Sequence, residues 1–358
     1  MTTQLDSFIG LKKETTFGTY AAPATFLTFT DESLEQKIVK KQANGLRPGR
    51  RTTALTQDVV VGYGAEGDIT VEASSGEQGI LWEALLGTAT HTLLAGSTYH
   101  HLFTSAADYL PSYTIQKAIP PLGGGALLPY TFGGMQLSKL ALDGKVGDIP
   151  TLKASWTGQN LLAAQSVSYN PSTGVTTNPG AASPVYPAAN ELFSFVGGSI
   201  LAGPSATSPV TPPSGTNLAT GGTAVGQITD VSLSFDNALD TASATLGGGG
   251  AKNRPSAALE GKHTGSLTAE FRDASFWGYY TGQTPLSIVL NYVGSATGDA
   301  SYTNLLQVTI PAAKITGETP KVKAGAIVTQ SVPFMILQDL VSGYQPFYVV
   351  LRNKIATL

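Results

Sequence analysis

Four short patterns occur twice in this chain, in the same order and at nearly constant spacing, and they constrain its fold more than any other feature. Thr30–Leu34 (TDESL) returns as Thr229–Leu233 (TDVSL), an offset of 229 − 30 = 199. Gly67–Glu72 (GDITVE) returns as Gly265–Glu270 (GSLTAE), an offset of 265 − 67 = 198. Trp82–Gly87 (WEALLG) and Trp277–Gly282 (WGYYTG) share Trp-x-x-x-x-Gly at 277 − 82 = 195, and Arg47-Pro48 and Arg254-Pro255 fall between the first two matches at 254 − 47 = 207. Ordered recurrence at one period is the mark of a repeated structural unit. It divides the 358 residues into a first module over 1–164, a linker or long surface loop over 165–189, and a second module over 190–358.

The content of each unit points to β structure. Asp68–Glu72, Ser112–Lys117, Gln136–Leu142, Gln227–Phe235 and Ser287–Val293 alternate apolar and polar residues and are bounded by Gly, Pro, Asn or Asp, the pattern of half-buried strands. Two short segments read as helices, Gly76–Leu86 with Gly87 as its stop, and Asp273–Tyr280 before Gly282. Trp82 and Trp277 are expected to anchor these helices on their sheets. The stretches 165–189 and 203–226 are rich in Ser, Thr, Pro, Gly and Ala and read as loops, with Leu192–Val196 as a strand between them. Phe347–Leu351 is apolar at consecutive positions, which suits a strand covered on both faces. The predicted fold class is therefore mainly β: two tandem β-sandwich or barrel modules, each with one short flanking α-helix and a long loop.

Composition narrows the function. Charged residues make up 13% of the chain, against about 25% in an ordinary soluble domain, and 21 basic against 24 acidic residues leave a net charge of −3. Such a balance does not make a general binder of nucleic acid or anionic membrane. The chain has no Cys, so disulfide frameworks, thiol nucleophiles and Cys-based zinc sites are excluded. No apolar run reaches the ~18 residues of a membrane-spanning helix. The N-terminal residues also lack the basic and apolar regions of a signal peptide. A soluble protein made in a reducing cytoplasm is expected.

Catalytic signatures are missing. The four His are His91, His100, His101 and His263, without H-x-H or H-x-x-x-H spacing. Adjacent His100 and His101 face opposite ways on a strand and cannot chelate one metal from one face, so they read as strand-surface residues. There is no G-x-S-x-G elbow and no phosphate loop. Gly62–Gly67 (GYGAEG) matches G-x-G-x-x-G, but it precedes a strand and offers no helix N-terminus to a pyrophosphate. Glu72 and Glu270 occupy equivalent repeat positions; an acid/base pair is conceivable, and a duplicated structural role is the more economical account. No catalytic, cofactor-binding or metal-binding residue is assigned, and no cofactor is expected. The strongest charge feature is Lys37, Lys40, Lys41, Arg47, Arg50 and Arg51, with no acid from 37 to 57. Broken by Asn44-Gly45 and Pro48-Gly49, it reads as a long exposed loop that is solvated, binds phosphate or docks on a neighbouring copy.

These residues carry a family resemblance. Ile9–Phe29 (IGLKKETTFGTYAAPATFLTF), Thr30–Leu34, Gly45–Arg50 (GLRPGR), Gly67–Glu72, Trp82–Gly87, Tyr99–Thr104 (YHHLFT) and Ser112–Ile115 resemble major tail tube proteins of long-tailed, siphovirus-like bacteriophages. Val231–Asn237 (VSLSFDN) and Gly265–Phe271 are similar again in the second half. The resemblance implies a structural, non-enzymatic virion protein that self-assembles, without a membrane, into stacked rings forming a hollow conduit for double-stranded DNA. It also implies assembly in the host cytoplasm and tape measure, tail terminator and distal tail proteins as partners. Rings of this family are generally built of six tube domains, so a chain carrying two would close as a pseudo-sixfold trimer, with the basic run as the inter-subunit or inter-ring arm. The competing readings are a tail terminator or baseplate-proximal tube homologue, a carbohydrate-binding adhesin-like β-sandwich with an aromatic platform, and, most distantly, a hydrolase built on paired Asp and Glu.

Overall fold

A computed structural model describes residues 4–356, except 46–47, 50, 107–108, 123–125, 165–167, 170–175, 178–179, 205–209, 226–227, 242–243, 247, 258–259, 273, 300, 318–319, 321 and 323–326. The first half runs β1 (Phe8–Lys13), β2 (Thr25–Leu27), β3 (Phe29–Glu32), β4 (Glu35–Gln42), β5 (Asp58–Glu72), α1 (Gly79–Leu86), β6 (Gly87–Ala95) and β7 (Thr98–Ser105). It continues through β8 (Tyr113–Ile119), β9 (Leu128–Lys145), β10 (Thr151–Gly158) and β11 (Asn160–Ala164). The short strands β12 (Ser168–Tyr169) and β13 (Thr176–Thr177) follow. The second half holds β14 (Gly198–Pro204), β15 (Thr223–Ala224), β16 (Ile228–Asp236), β17 (Lys262–Glu270), α2 (Ser275–Gly282), β18 (Leu286–Ala296), β19 (Thr303–Ile315), β20 (Thr329–Ile336) and β21 (Tyr348–Asn353). The fold is mainly β, as the alternation predicts. All but β12 and β13 join one antiparallel sheet network, which does not close into a barrel.

The two halves pair their strands in matching registers. Asp31 opposes Thr70 as Asp230 opposes Thr268, and Glu72 opposes Thr151 as Glu270 opposes Thr329. Trp156 faces Leu137 as Phe334 faces Ile315. The ladder from Tyr113↔Met135 slips before Ile115↔Phe132, and the ladder from Leu286↔Ala313 slips at the same step before Ile288↔Ile310. A bulge re-aims every side chain beyond it, so a shared bulge keeps the two inward-facing sets in step. In both halves a long strand changes partners along its length. β9 pairs with β8 and β11 in its first part and with β10 and β16 in its second, and β19 passes from β18 and β21 to β20.

Two ladders join the halves. The second part of β9 lies along β16, from Lys139↔Asp236 to Lys145↔Asp230. β21 lies between β19 and β7, from Tyr99↔Asn353 to Phe103↔Val349. This accounts for the apolar run at the C-terminal end, where Phe347, Val349, Val350 and Leu351 are all buried within the chain. One apolar cluster extends through both halves, from Ile9, Ile69 and Trp82 to Leu267, Val308 and Phe334. The junction between the halves is thus built of backbone pairing and continuous core.

One local expectation is corrected, and the two loop stretches have packing partners. Leu192–Val196 is not a strand: Leu192 makes an isolated bridge to Ser74, and Phe195–Gly197 forms a 3-10 turn. Phe193 is buried there, and its N–H donates to the Ala73 carbonyl, so the segment is spent on holding the loop before α1. The described part of the 165–189 stretch lies against the first half. The Ala182 N–H donates to Gln116 Oε1, and Tyr186 sits edge-on to Phe26. In the 203–226 stretch, Val210 and Ala219 pack with Val289.

Candidate functional site

β4 and the first part of β5 form a two-stranded ribbon that rises from the sheet, paired from Glu35↔Glu66 to Gln42↔Asp58. The basic run therefore starts in a strand: Lys37, Lys40 and Lys41 belong to β4, while Arg51 is exposed in the connection beyond it. This corrects the reading of 37–57 as loop throughout. Arg47 and Arg50 lie outside the described residues. The register also brings an acid, Glu66 of β5, that the run itself lacks. Lys37 Nζ reaches Glu66 at 2.5 Å and Glu35 at 3.2 Å, and the hydrogen bond it donates to Glu66 holds the amine above the usual lysine range, with the one to Glu35 adding to it. Lys40, Lys41 and Arg51 make no ion pair among the described residues.

The ribbon's apolar side chains are more telling than its charges. Ile38, Val39, Val59, Val60 and Val61 are each 45–52% exposed. β-branched residues favour strands because they pack on neighbours across a sheet. Here both faces meet solvent, and an isolated two-stranded hairpin is marginal in water.

The ribbon's base is fixed firmly. Lys117 Nζ bonds both Glu32 carboxylate oxygens at 2.9 and 3.0 Å and the Leu34 carbonyl at 2.7 Å. The glycines of GYGAEG serve this packing. Gly67 has φ +152°, and a Cβ there would meet Ser33 and Leu34 backbone atoms at 2.5–2.7 Å; a Cβ on Gly64 would meet Lys252 Cε at 2.7 Å. They admit neighbouring chain and hold no nucleotide loop.

One edge of the sheet is open. β16 has a partner on each side, β17 and β9, whereas β3 and β4 pair only with β5 among the described residues. An unpaired edge is a template for another strand. The apolar side chains of Val322 and Ile327, in the connection between β19 and β20, are 82% and 74% exposed.

The helices differ in cover. In α1, Ile80, Leu81, Trp82, Ala84, Leu85 and Leu86 are buried; in α2 no residue is. Trp82 packs on Phe235 of β16 with ring centroids 6.1 Å apart, and Asn237 Nδ2 donates to the Leu85 carbonyl. Trp82 is thus the expected anchor, and Trp277, 37% exposed, is not. Both helices end on a left-handed residue, Gly87 and Gln283, an offset of 283 − 87 = 196 against 195 for the tryptophans. Counted from that residue, Trp277 falls at the place of Leu81, which is buried in α1, so the difference between the two indoles lies in the cover that β16 gives α1 and not in helix phase.

The histidines also depart from expectation. His100 and His101 are fully buried. They do face opposite ways: His100 Nε2 contacts the Ser214 carbonyl at 3.0 Å, while His101 meets His91 Nδ1 at 2.7 Å and Asn353 Oδ1 at 2.9 Å. Burial pushes both down to about 4, helped by Arg352 beside His100 and opposed at His101 by its bond to Asn353. His101 ties the β6–β7 hairpin to β21, and His100 ties it to the connection between β14 and β15.

Glu72 and Glu270 lie in separate halves, each opposite a threonine. Among the described residues no group of three or more His, Asp or Glu is placed to hold a metal ion, and no helix is long and apolar enough to cross a membrane. A cleft of about 600 Å³ between Leu86, Asn237 and Phe347 carries no acid or cation among its described lining residues. The arrangement is suited to strand pairing and apolar docking. The family model described as "Phage tail tube protein" matches residues 4–336. No curated protein is significantly similar to the chain.

Proposed function

The chain belongs to the phage tail tube protein family and is a structural component of the virion tail; from that premise we propose that three copies close into a ring and that rings stack into the conduit through which DNA leaves the capsid. The observation that carries this reading is the β9–β16 ladder. It joins the first half to the second by backbone pairing, and the matching registers of the halves make it a template for joining the second half to the first half of the next chain. The surface corresponding to β16 is the open edge of β3 and β4, and β19 as far as Ile315 corresponds to β9 as far as Leu137. Repeating one heterologous junction generates a ring when the rotation closes, and closure leaves no sheet edge exposed.

In this reading each chain supplies two tube modules, 1–164 and 190–358, and the ring is pseudo-sixfold. The β4–β5 ribbon, with Lys37, Lys40, Lys41, Arg47, Arg50 and Arg51 at and beyond it, is the arm that reaches a neighbouring subunit or ring. Tape measure, terminator and distal tail proteins would meet the finished tube, and assembly belongs to the host cytoplasm. The weak net charge of −3 is compatible with a polyanion that must pass without adhering. Electron microscopy and native mass measurement of the purified protein test the proposal. Hollow stacked rings of three chains are expected; rings of six chains, or a strictly monomeric protein, would refute it.

A further inference from the structure

Helix α2 presents an aromatic surface that no described residue of the chain covers. Trp277 is 37% and Phe271 43% exposed, and the Trp277 ring lies 5.4 Å from that of Tyr280. Phe276, Tyr279 and Tyr280 are partly buried against the core. An exposed Trp beside a second aromatic ring is what an interface anchor looks like before its partner arrives.

The first half shows what covers the corresponding helix. α1 sits where the halves meet, and the cover comes from β16 and the residues just beyond it, Phe235 against Trp82 and Asn237 against the Leu85 carbonyl. With β16 matched to β3–β4 by the register Asp230↔Thr268 and Asp31↔Thr70, Phe235 and Asn237 correspond to Gln36 and Ile38. Ile38 is itself 46% exposed. Two uncovered apolar surfaces thus stand at the two positions that the internal junction brings together.

We propose that the aromatic face of α2, centred on Trp277, is a docking surface for the base of the β4–β5 ribbon of a second copy, around Gln36 and Ile38. The proposal rests on the ring reading and assigns it a contact outside the sheet. Helix and strand edge would be engaged by the same neighbour, so the indole is buried as the ladder forms.

The chain's own composition supplies the experiment. It has three Trp, of which Trp82 and Trp156 are 0% and 2% exposed, so acrylamide quenching reports on Trp277. The quenchable component of dispersed chains should disappear on assembly, and it should be absent throughout in Trp277→Phe. The absence of Cys permits a second reading with Gly278→Cys, where an added Cβ meets nothing within 4 Å, and Lys40→Cys. A short bis-maleimide should couple a mixture of the two single variants into dimers carrying one of each. Closed rings in which Trp277 stays quenchable and residues 278 and 40 fail to couple would overturn the docking surface alone. Dimers coupled through 278 and 40 that never close would keep the docking surface and overturn the ring. Chains with no self-association would overturn both.

Discussion

Replacing Val39, Val59, Val60 and Val61 together by Thr removes the ribbon's apolar character while keeping side-chain volume and β-branching. The four are 45–52% exposed, so about half of each remains to be buried by a partner. Full burial of a valine is worth about 1.5 kcal/mol at the low end, which leaves roughly 0.75 kcal/mol per residue, or about 3 kcal/mol per ribbon. At about 1.4 kcal/mol per decade, association should weaken roughly a hundredfold. The assay is the critical concentration for assembly, by sedimentation and light scattering, with the urea midpoint of the dispersed chain measured alongside. The midpoint should hardly move, since exposed substitutions cost within about 0.5 kcal/mol. A variant that assembles at the wild-type concentration would refute the view that this ribbon docks, and a collapsed midpoint would show that its valines belong to the fold.

Three further outcomes are expected. Trp82→Ala should cost about 3–5 kcal/mol of folding stability by denaturant titration, as a buried aromatic does, whereas Trp277→Ala should cost about 1 kcal/mol or less; equal losses would contradict the different settings of the two helices. Gly67→Ala forces a Cβ onto Ser33 and Leu34 backbone at φ +152° and should destabilise the fold by about 1–3 kcal/mol, read as a lower urea midpoint. His100 and His101 titrate near 4 in the folded chain against 6.5 for an ordinary histidine. The unfolded chain therefore binds more protons between those values, so the stability held above pH 6.5 is lost as pH falls toward 4, by up to about 3 kcal/mol for each group. His100→Gln with His101→Gln should flatten the urea midpoint between pH 6.5 and 4, and an unflattened profile would place the proton uptake elsewhere.

The repeat is legible in sequence because it is written in strand-face residues and turn glycines, which local geometry constrains directly. The mainly β class, both helices and the buried strand around Val349 follow from the same signals. What was not legible depends on neighbours far along the chain. The basic run 37–57 holds no acid, and only the β4–β5 register brings Glu66 to Lys37. His100 and His101 alternate as surface strand residues would, but β21 arrives from 250 residues away and seals them. Trp277 matches Trp82 in pattern, yet Trp82 is covered by Phe235 of β16, a contact between the two halves that no local window contains. The GYGAEG match is explained by Lys252 and Leu34, contacts that no local window contains.

The β9–β16 ladder has a kinetic consequence because both strands belong to one chain. That junction forms during folding, as an intramolecular event whose effective concentration is set by the tether and not by how much protein the cell contains. In a three-chain ring, half of the six junctions would exist before any two molecules meet. Only three would carry the translational and rotational cost of association, so a ring could nucleate at concentrations where six separate modules would remain dispersed.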